Sequence, residues 1–263
     1  MTTRYLSQTD KALPIPEPPV FDTSAQQRDH DKHMLAAAVR LFGHLGFDDG
    51  ISGHLSIRDP SHTDRFWVNP FGVAFSRVQL DDLICVDAEG SIVHGEHPVN
   101  PSAYAIHSQV LHQRPDAQAA IHCHSANSRA FGALNVPLEP LDQESAAFHE
   151  NHAIFDDYAG PTTEPSQGEA MARALATNRA VLLRFHGLIT VGASIEEAAY
   201  WFISFERCAG QQLAARAAGP IHPMTPEQAA SAHTGFGDPR LAWFNFRVLL
   251  QQTAAKDATF QAD

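Results

Sequence analysis

Residues 117–125 read AQAAIHCHS. A short apolar run ending in H-x-H predicts a buried strand, and residues two apart in a strand project from the same face. His122 and His124 are therefore expected side by side, where two imidazoles either chelate one metal ion or hydrogen-bond at a strand edge. Upstream, Asn100-Pro101-Ser102 opens a predicted helix, SAYAIHSQVLHQ, which must stop near Pro115 because the residue before a proline avoids the helical region. Downstream, SANSRAFGAL predicts a short helix. Farther along, RAVLLRFHG (179–187) and LITVG (188–192) predict two strands around a His-Gly turn. A third histidine, His186, then stands at the end of an apolar strand, where a neutral imidazole suits Zn²⁺, Fe²⁺ or a similar ion.

The flanking segments fill in an α/β pattern. Ser24 with Gln27 is a capping-box pattern for a helix through about Leu45, with Leu35, Val39 and Phe42 on its buried stripe. Residues 51–100 break into short β-rich pieces: ISGHLSIRD, RFWVNP, LICVD and SIVHG. Ser166 with Glu169 and Ser194 with Glu197 mark two more helix starts. The second begins a long helix through about Ala217, with Ile195, Ala198, Phe202, Phe205, Ala209 and Leu213 as its core stripe. Residues 142–160 read as a solvated loop and 221–238 as irregular. A last amphipathic helix, RLAWFNFRVLLQQ, carries Leu241, Phe244, Val248 and Leu249 on one stripe. That stripe is expected to cover the site or an adjacent interface. The division is an extended proline-rich arm (1–22), one main domain (23–220) and a C-terminal extension with one helix (221–263). Helices and strands alternate without a regular βαβ rhythm, which predicts a three-layer α/β/α domain around a mainly antiparallel sheet.

Composition narrows the function. A formal net charge of −12 argues against a nucleic-acid partner, which needs a basic face. No apolar run approaches the roughly 18–20 residues of a membrane span. Three widely spaced cysteines, Cys85, Cys123 and Cys208, point away from a disulfide framework and toward a cytoplasmic location. Asp29, His30, Asp31 and His33 read as the solvated face of the first helix.

HCHS after RPDAQAAI, followed by LLRFHGLITVGASIEEAAYWFISFE, resembles the class II aldolase/adducin family. SGHLSIRD, WVNPFGVAF with DDLICVD, and NPSAYAIHSQVLHQRPD resemble its other blocks, in the same order, over about residues 28–218. The resemblance implies an α/β/α fold, a homotetramer with sites between subunits, and one divalent metal ion per subunit, Zn²⁺ or Fe²⁺, held by His122, His124 and His186. It also implies substrate contacts from Ser52, Gly53, Asn69, Gly72 and Ser102, and a structural or supporting role for His107.

Departures from the family pattern shape the expected chemistry. Family aldolases carry an acid/base glutamate four residues before the histidine of the SAYAIH block; here that position is Ala103. The family's Gly-Asn phosphate turn reads Ser52-Gly53-His54, and its second phosphate loop reads Asn69-Pro70-Phe71-Gly72. The expected substrate is therefore a small carboxylic acid without phosphate. The expected reaction is metal-dependent cleavage of a C–C bond beside a carbonyl or carboxylate, of aldolase or decarboxylase type. Within DQESAAFHENHAIFDDYAG, Glu144, His149, Glu150 and Tyr158 are candidates to replace the missing acid, with Glu150, His149 and Tyr158 preferred. Two alternatives stand beside the lyase. One is a non-haem Fe(II)/O₂ oxygenase acting on an aromatic 2-oxo acid, as in relatives from aminocoumarin antibiotic biosynthesis. The other is a non-enzymatic adducin-like scaffold.

Overall fold

A computed structural model describes residues 15–254. In chain order its strands are β1 (His54–Arg58), β2 (Phe66–Val68), β3 (Ile84–Val86), β4 (Ile92–His94), β5 (Ala119–Cys123), β6 (His152–Phe155), β7 (Ala180–Leu183) and β8 (Gly187–Gly192). They form one eight-stranded sheet in the order β4-β3-β2-β1-β5-β8-β7-β6. Every neighbouring pair is antiparallel except β6 with β7. The sheet is thus mainly antiparallel, as the alternation of elements predicts.

Seven helices are described: α1 (Ser24–His44), α2 (Pro101–Gln113), α3 (Ala126–Gly132), α4 (Pro165–Leu175), α5 (Ile195–Ala218), α6 (Pro226–Phe236) and α7 (Pro239–Ala254). Period-2 alternation divides the buried side chains between two cores. Ile121 and Cys123 of β5 pack with Leu35, Val39, Phe42, Phe202 and Phe205 on the α1–α5 side. Ala120, Val181 and Ile189 pack with Ile106, Val110, Met171 and Leu175 on the α2–α4 side. His122 alternates with Cys123 and so faces α2 and α4.

Helix α4 lies tight on α2 because position 168 is glycine. A Cβ there would stand 1.8 Å from the Ala105 carbonyl oxygen. Gly168→Ala is expected to force the helices apart and destabilise the fold by about 1–3 kcal/mol. An unchanged denaturant midpoint would show that the contact yields without cost.

Several sequence expectations need correction. Helix α1 is capped one residue earlier than expected, by Thr23 paired with Gln26. Helix α4 is capped by Glu164 with Gln167, ahead of Pro165 at its first position. Ser194 does cap α5, accepting from the Glu197 amide. The presumed loop 142–160 contains β6, which pairs in parallel with β7. The extension carries two helices, because Thr225, Pro226 and Gln228 start α6 inside the segment expected to be irregular. Helix α7 buries Ala242, Trp243, Phe246 and Leu250 against its own chain, mainly α5; of the expected stripe, Leu249 packs partly buried against the same core, Leu241 and Phe244 are half-buried, and Val248 is exposed. Asp31 is buried, and His30 reaches the buried Glu196 at 3.3 Å, so that face of α1 is not fully solvated. Of the proposed arm, residues 1–14 lie outside the described residues. The remainder has no regular structure and meets α7 through Glu17 and Arg240, 2.9 Å apart.

Candidate metal centre

Strand β5 ends where β8 begins, with His122 opposite Ile189 and Cys123 opposite Leu188. The β7–β8 turn closes above that end and carries His186. The sheet register therefore brings together three histidines from two distant segments. Their rings form a nearly equilateral triangle, with centroids 4.9 Å (His122–His124), 4.7 Å (His122–His186) and 4.8 Å (His124–His186) apart. One donor nitrogen from each lies within 4.8 Å of the other two, so the group can hold a metal ion. The next residue, Gly187, is required for this approach. A Cβ on it would sit 2.5 Å from the Cys123 carbonyl and 3.2 Å from both the His122 and His124 rings.

The donor chemistry fits a divalent ion. His122 Nδ1 donates to the Leu188 carbonyl at 3.0 Å, which fixes the tautomer and leaves Nε2 as the lone-pair atom. That Nε2 lies 3.0 Å from His124 Nε2, and two nitrogens each about 2.1 Å from one ion stand roughly 3.0–3.4 Å apart. His186 Nδ1 is buried without a hydrogen-bond partner. Burial holds all three imidazoles below their ordinary pKa, His186 at about 4; a charge on His122 would also be opposed by charging the surrounding histidines, one on His186 by charging His124, and one on His124 by the Arg129 guanidinium. They are neutral at physiological pH, the form a metal requires.

A second layer of histidines backs the first. His54, opposite His122 across β1–β5, lies with its ring 5.0 Å from that of His122. Its Nδ1 is 2.7 Å from His107 Nε2, and His107 Nδ1 in turn meets the Ser56 hydroxyl. The supporting place expected for His107 is thus observed, whereas His54 was read only as part of a turn. Period-2 spacing of His54 and Ser56 was the available signal. Burial pulls His107 down to about 3. Between that value and about 6.5 the unfolded chain binds the extra proton, so stability falls as pH falls through this window. The melting temperature of metal-free protein is expected to decline on acidification below about 6.5 and to stay level above about 7.5. A flat profile between neutrality and pH 5 would contradict a buried neutral His107.

Glu206 of α5, which no sequence pattern marks, clamps the loop that carries His124. Its carboxylate accepts from Ser125 Oγ at 2.6 Å, Asn127 N and Ser128 N, each at 2.8 Å, and the Ser128 hydroxyl.

The other expected site residues divide. Gly53, with φ +97°, and Asn69 and Gly72 line a cleft with Asn100. Ser52 precedes that Gly53 turn, and Ser102 donates its amide to Asn100 Oδ1 at 2.9 Å. Asn69 Oδ1 is already used by the Leu55 amide, and among the described residues no lysine or arginine lines the cleft. Tyr158 lines a pocket with His186. His149 and Glu150 precede β6, whose first residue is level with Ala180 and whose last is level with Leu183. They therefore lie at the end of the sheet away from His186, and within one chain they do not reach the histidines. Glu144 lies farther along the same excursion and is exposed.

Residues 33–213 match the family described as class II aldolase and adducin N-terminal domain. The chain is 40% identical over 247 residues to a 4-hydroxy-3-prenylphenylpyruvate oxygenase/4-hydroxy-3-prenylbenzoate synthase of Streptomyces roseochromogenus subsp. oscitans, covering 93% of this chain and 89% of that one. It is 39% identical over 243 residues to Decarboxylase NovR of Streptomyces niveus, covering 92% and 90%. Among solved structures, an L-fuculose 1-phosphate aldolase from Glaciozyma antarctica PI12 superposes with a TM-score of 0.85 at 36% identity, over 93% of this chain and 96% of that one.

Proposed function

Because the chain belongs to the class II aldolase and adducin family, we propose that it is a metal-dependent enzyme that breaks the C–C bond beside a carboxylate in a small 2-oxo or 2-hydroxy acid bearing no phosphate. The observation that carries this reading is the convergence of three neutral imidazoles, with no carboxylate in the ligand group among the described residues. The aldolase acid's position is occupied by Ala103, fully buried in the α2 core. A divalent ion held by His122, His124 and His186 would supply Lewis-acid polarisation of two substrate oxygens. The chain itself orients the rings through the Leu188 carbonyl and the Glu206 clamp. Among the described residues, the Gly53–Asn69 cleft offers no lysine or arginine to a phosphate dianion.

An aldol cleavage with the general acid/base removed would lose typically about 10²–10⁴-fold in rate. Loss of CO₂ asks less of such a group, which favours decarboxylation over an aldolase reaction. Tyr158, beside His186, is the remaining candidate for a proton donor at this end of the sheet. The oxygen-dependent form with Fe²⁺ is the second reading. It is favoured by the 40%-identical relative named as an oxygenase. Assayed on 2-oxo acids with an oxygen electrode, the protein is expected to release CO₂. Equal rates in air and under argon would reject the oxygenase, and turnover only in air with Fe²⁺ would reject the oxygen-independent lyase. Purification without stoichiometric metal would favour the scaffold. The proposal includes a homotetramer, which light scattering showing a monomer at micromolar concentration would remove.

A further inference from the structure

The three imidazoles are not held in the same way. His122 is oriented by the Leu188 carbonyl, and the loop beside His124 is held by Glu206. Among the described residues, none hydrogen-bonds the His186 ring, whose Nδ1 is buried and unpaired. The direction of that ring therefore rests on its backbone. On one side, Gly187 leaves no room for a side chain, since a Cβ there would meet the Cys123 carbonyl. On the other side stands Phe185, with φ +59°.

Phe185 is third of the four residues in the turn between β7 and β8, which closes with the His186 amide donating to the Leu183 carbonyl at 3.1 Å. A left-handed conformation at that position ordinarily takes glycine or asparagine. For a bulky residue it is strained, and it persists only where the surroundings over-determine it. The Phe185 side chain is 58% exposed, so burial in the core does not hold it. Its neighbours do. The Arg184 guanidinium lies over the ring, 4.6 Å from its centroid. Arg184 is itself fastened twice: its amide donates to the Phe155 carbonyl at 2.9 Å, and its side chain donates to Asp156 at 2.5 Å. Asn135 donates to the other carboxylate oxygen of Asp156 at 2.9 Å. Tyr158 meets the Phe185 ring edge-on, with centroids 6.2 Å apart.

We propose that Phe185 is a positioning residue for the metal centre: its ring, braced by Arg184 and Tyr158, keeps the turn left-handed and so aims the otherwise unsupported His186 imidazole at His122 and His124. The inference rests on the metal-centre reading above. It adds the residues that set one ligand without touching the ion, and it makes the segment after β6 a support of the site.

Zn²⁺ titration against a chromophoric chelator, together with thermal unfolding of the metal-free protein, tests this without turnover. Phe185→Gly relieves the backbone strain, and Phe185→Asn tolerates the left-handed conformation without supplying a ring. Both variants are expected to melt at or above the temperature of the parent, yet to bind Zn²⁺ roughly 10–100-fold more weakly, the usual scale for a partner behind a ligand. Phe185→Tyr keeps the ring and should bind as the parent does. A purely structural role would move stability and affinity together. Parental affinity in the glycine or asparagine variant overturns the proposal and leaves the metal site standing. So does a loss of affinity that comes only with a lowered melting temperature or with a changed assembly mass in light scattering. Wild-type protein that binds no Zn²⁺ overturns the proposal and the metalloenzyme reading together. If neither variant folds, Arg184→Ala, which uncovers one face of the ring, decides: weaker Zn²⁺ binding supports the positioning role, and parental affinity overturns it.

Discussion

Replacing His186 with alanine is expected to lower divalent-metal affinity by more than roughly 100-fold, since even partners behind a ligand contribute 10–100-fold. Turnover should fall to background. The residue sits on a turn and is only partly buried, and its Nδ1 makes no hydrogen bond. The fold therefore does not depend on it, and thermal unfolding of the metal-free variant should match that of the parent. This separates the residue from His122, which is buried at 1% exposure in the middle of the sheet and whose removal would confound folding with ligation. Metal content measured after dialysis against a weak chelator is the decisive readout. A His186→Ala protein that retains a full complement of metal would remove this histidine from the site.

Glu206→Ala is expected to cost about 2–5 kcal/mol, because it strips the acceptor from several buried donors at once. The carboxylate is 4% exposed and accepts from two backbone amides and two hydroxyls at the start of α3. Its removal leaves Asn127 N and Ser128 N as unpaired helix-end donors, and each such loss is worth about 1–3 kcal/mol. His124 is the residue immediately before this cluster, so the same change should weaken metal binding in protein that remains folded. Glu206→Gln keeps acceptor capacity and should recover part of the stability and most of the metal affinity. Denaturant unfolding together with metal titration measures both effects. An alanine variant within about 0.5 kcal/mol of the parent, where ordinary surface changes fall, would show that the clamp is dispensable.

Helices with strong local signals were legible. Leu35, Val39 and Phe42 are all at most 1% exposed, as their spacing predicts, and Ser194 caps α5 as expected. Strand β6 was not legible, because HAIF is short, has no alternation and lies among polar residues. Its identity comes from parallel pairing with β7, a contact with a segment 28 residues away. Helix α6 was obscured by a segment of mixed polar and small residues, although its Thr225–Gln228 capping box was present in the chain.

His122 and His124 illustrate the boundary between local and tertiary information. Their common orientation follows from the two-residue period of a strand and is a property of the sequence alone. The helix starts, the absence of an aldolase acid at Ala103 and the apolar character of the last helix are equally local. His186 as the third member and His107 as a supporting residue were expected through the family resemblance; that the three rings meet, that His54 stands with His107 behind them, and that Glu206 holds the adjoining loop required the fold. These residues come from separate strands and helices, and only sheet register and helix packing determine which distant side chains meet. The same holds for His149 and Glu150. They are close to Tyr158 in sequence, but β6 intervenes, and its direction carries Tyr158 toward the histidines and leaves the other two at the far end.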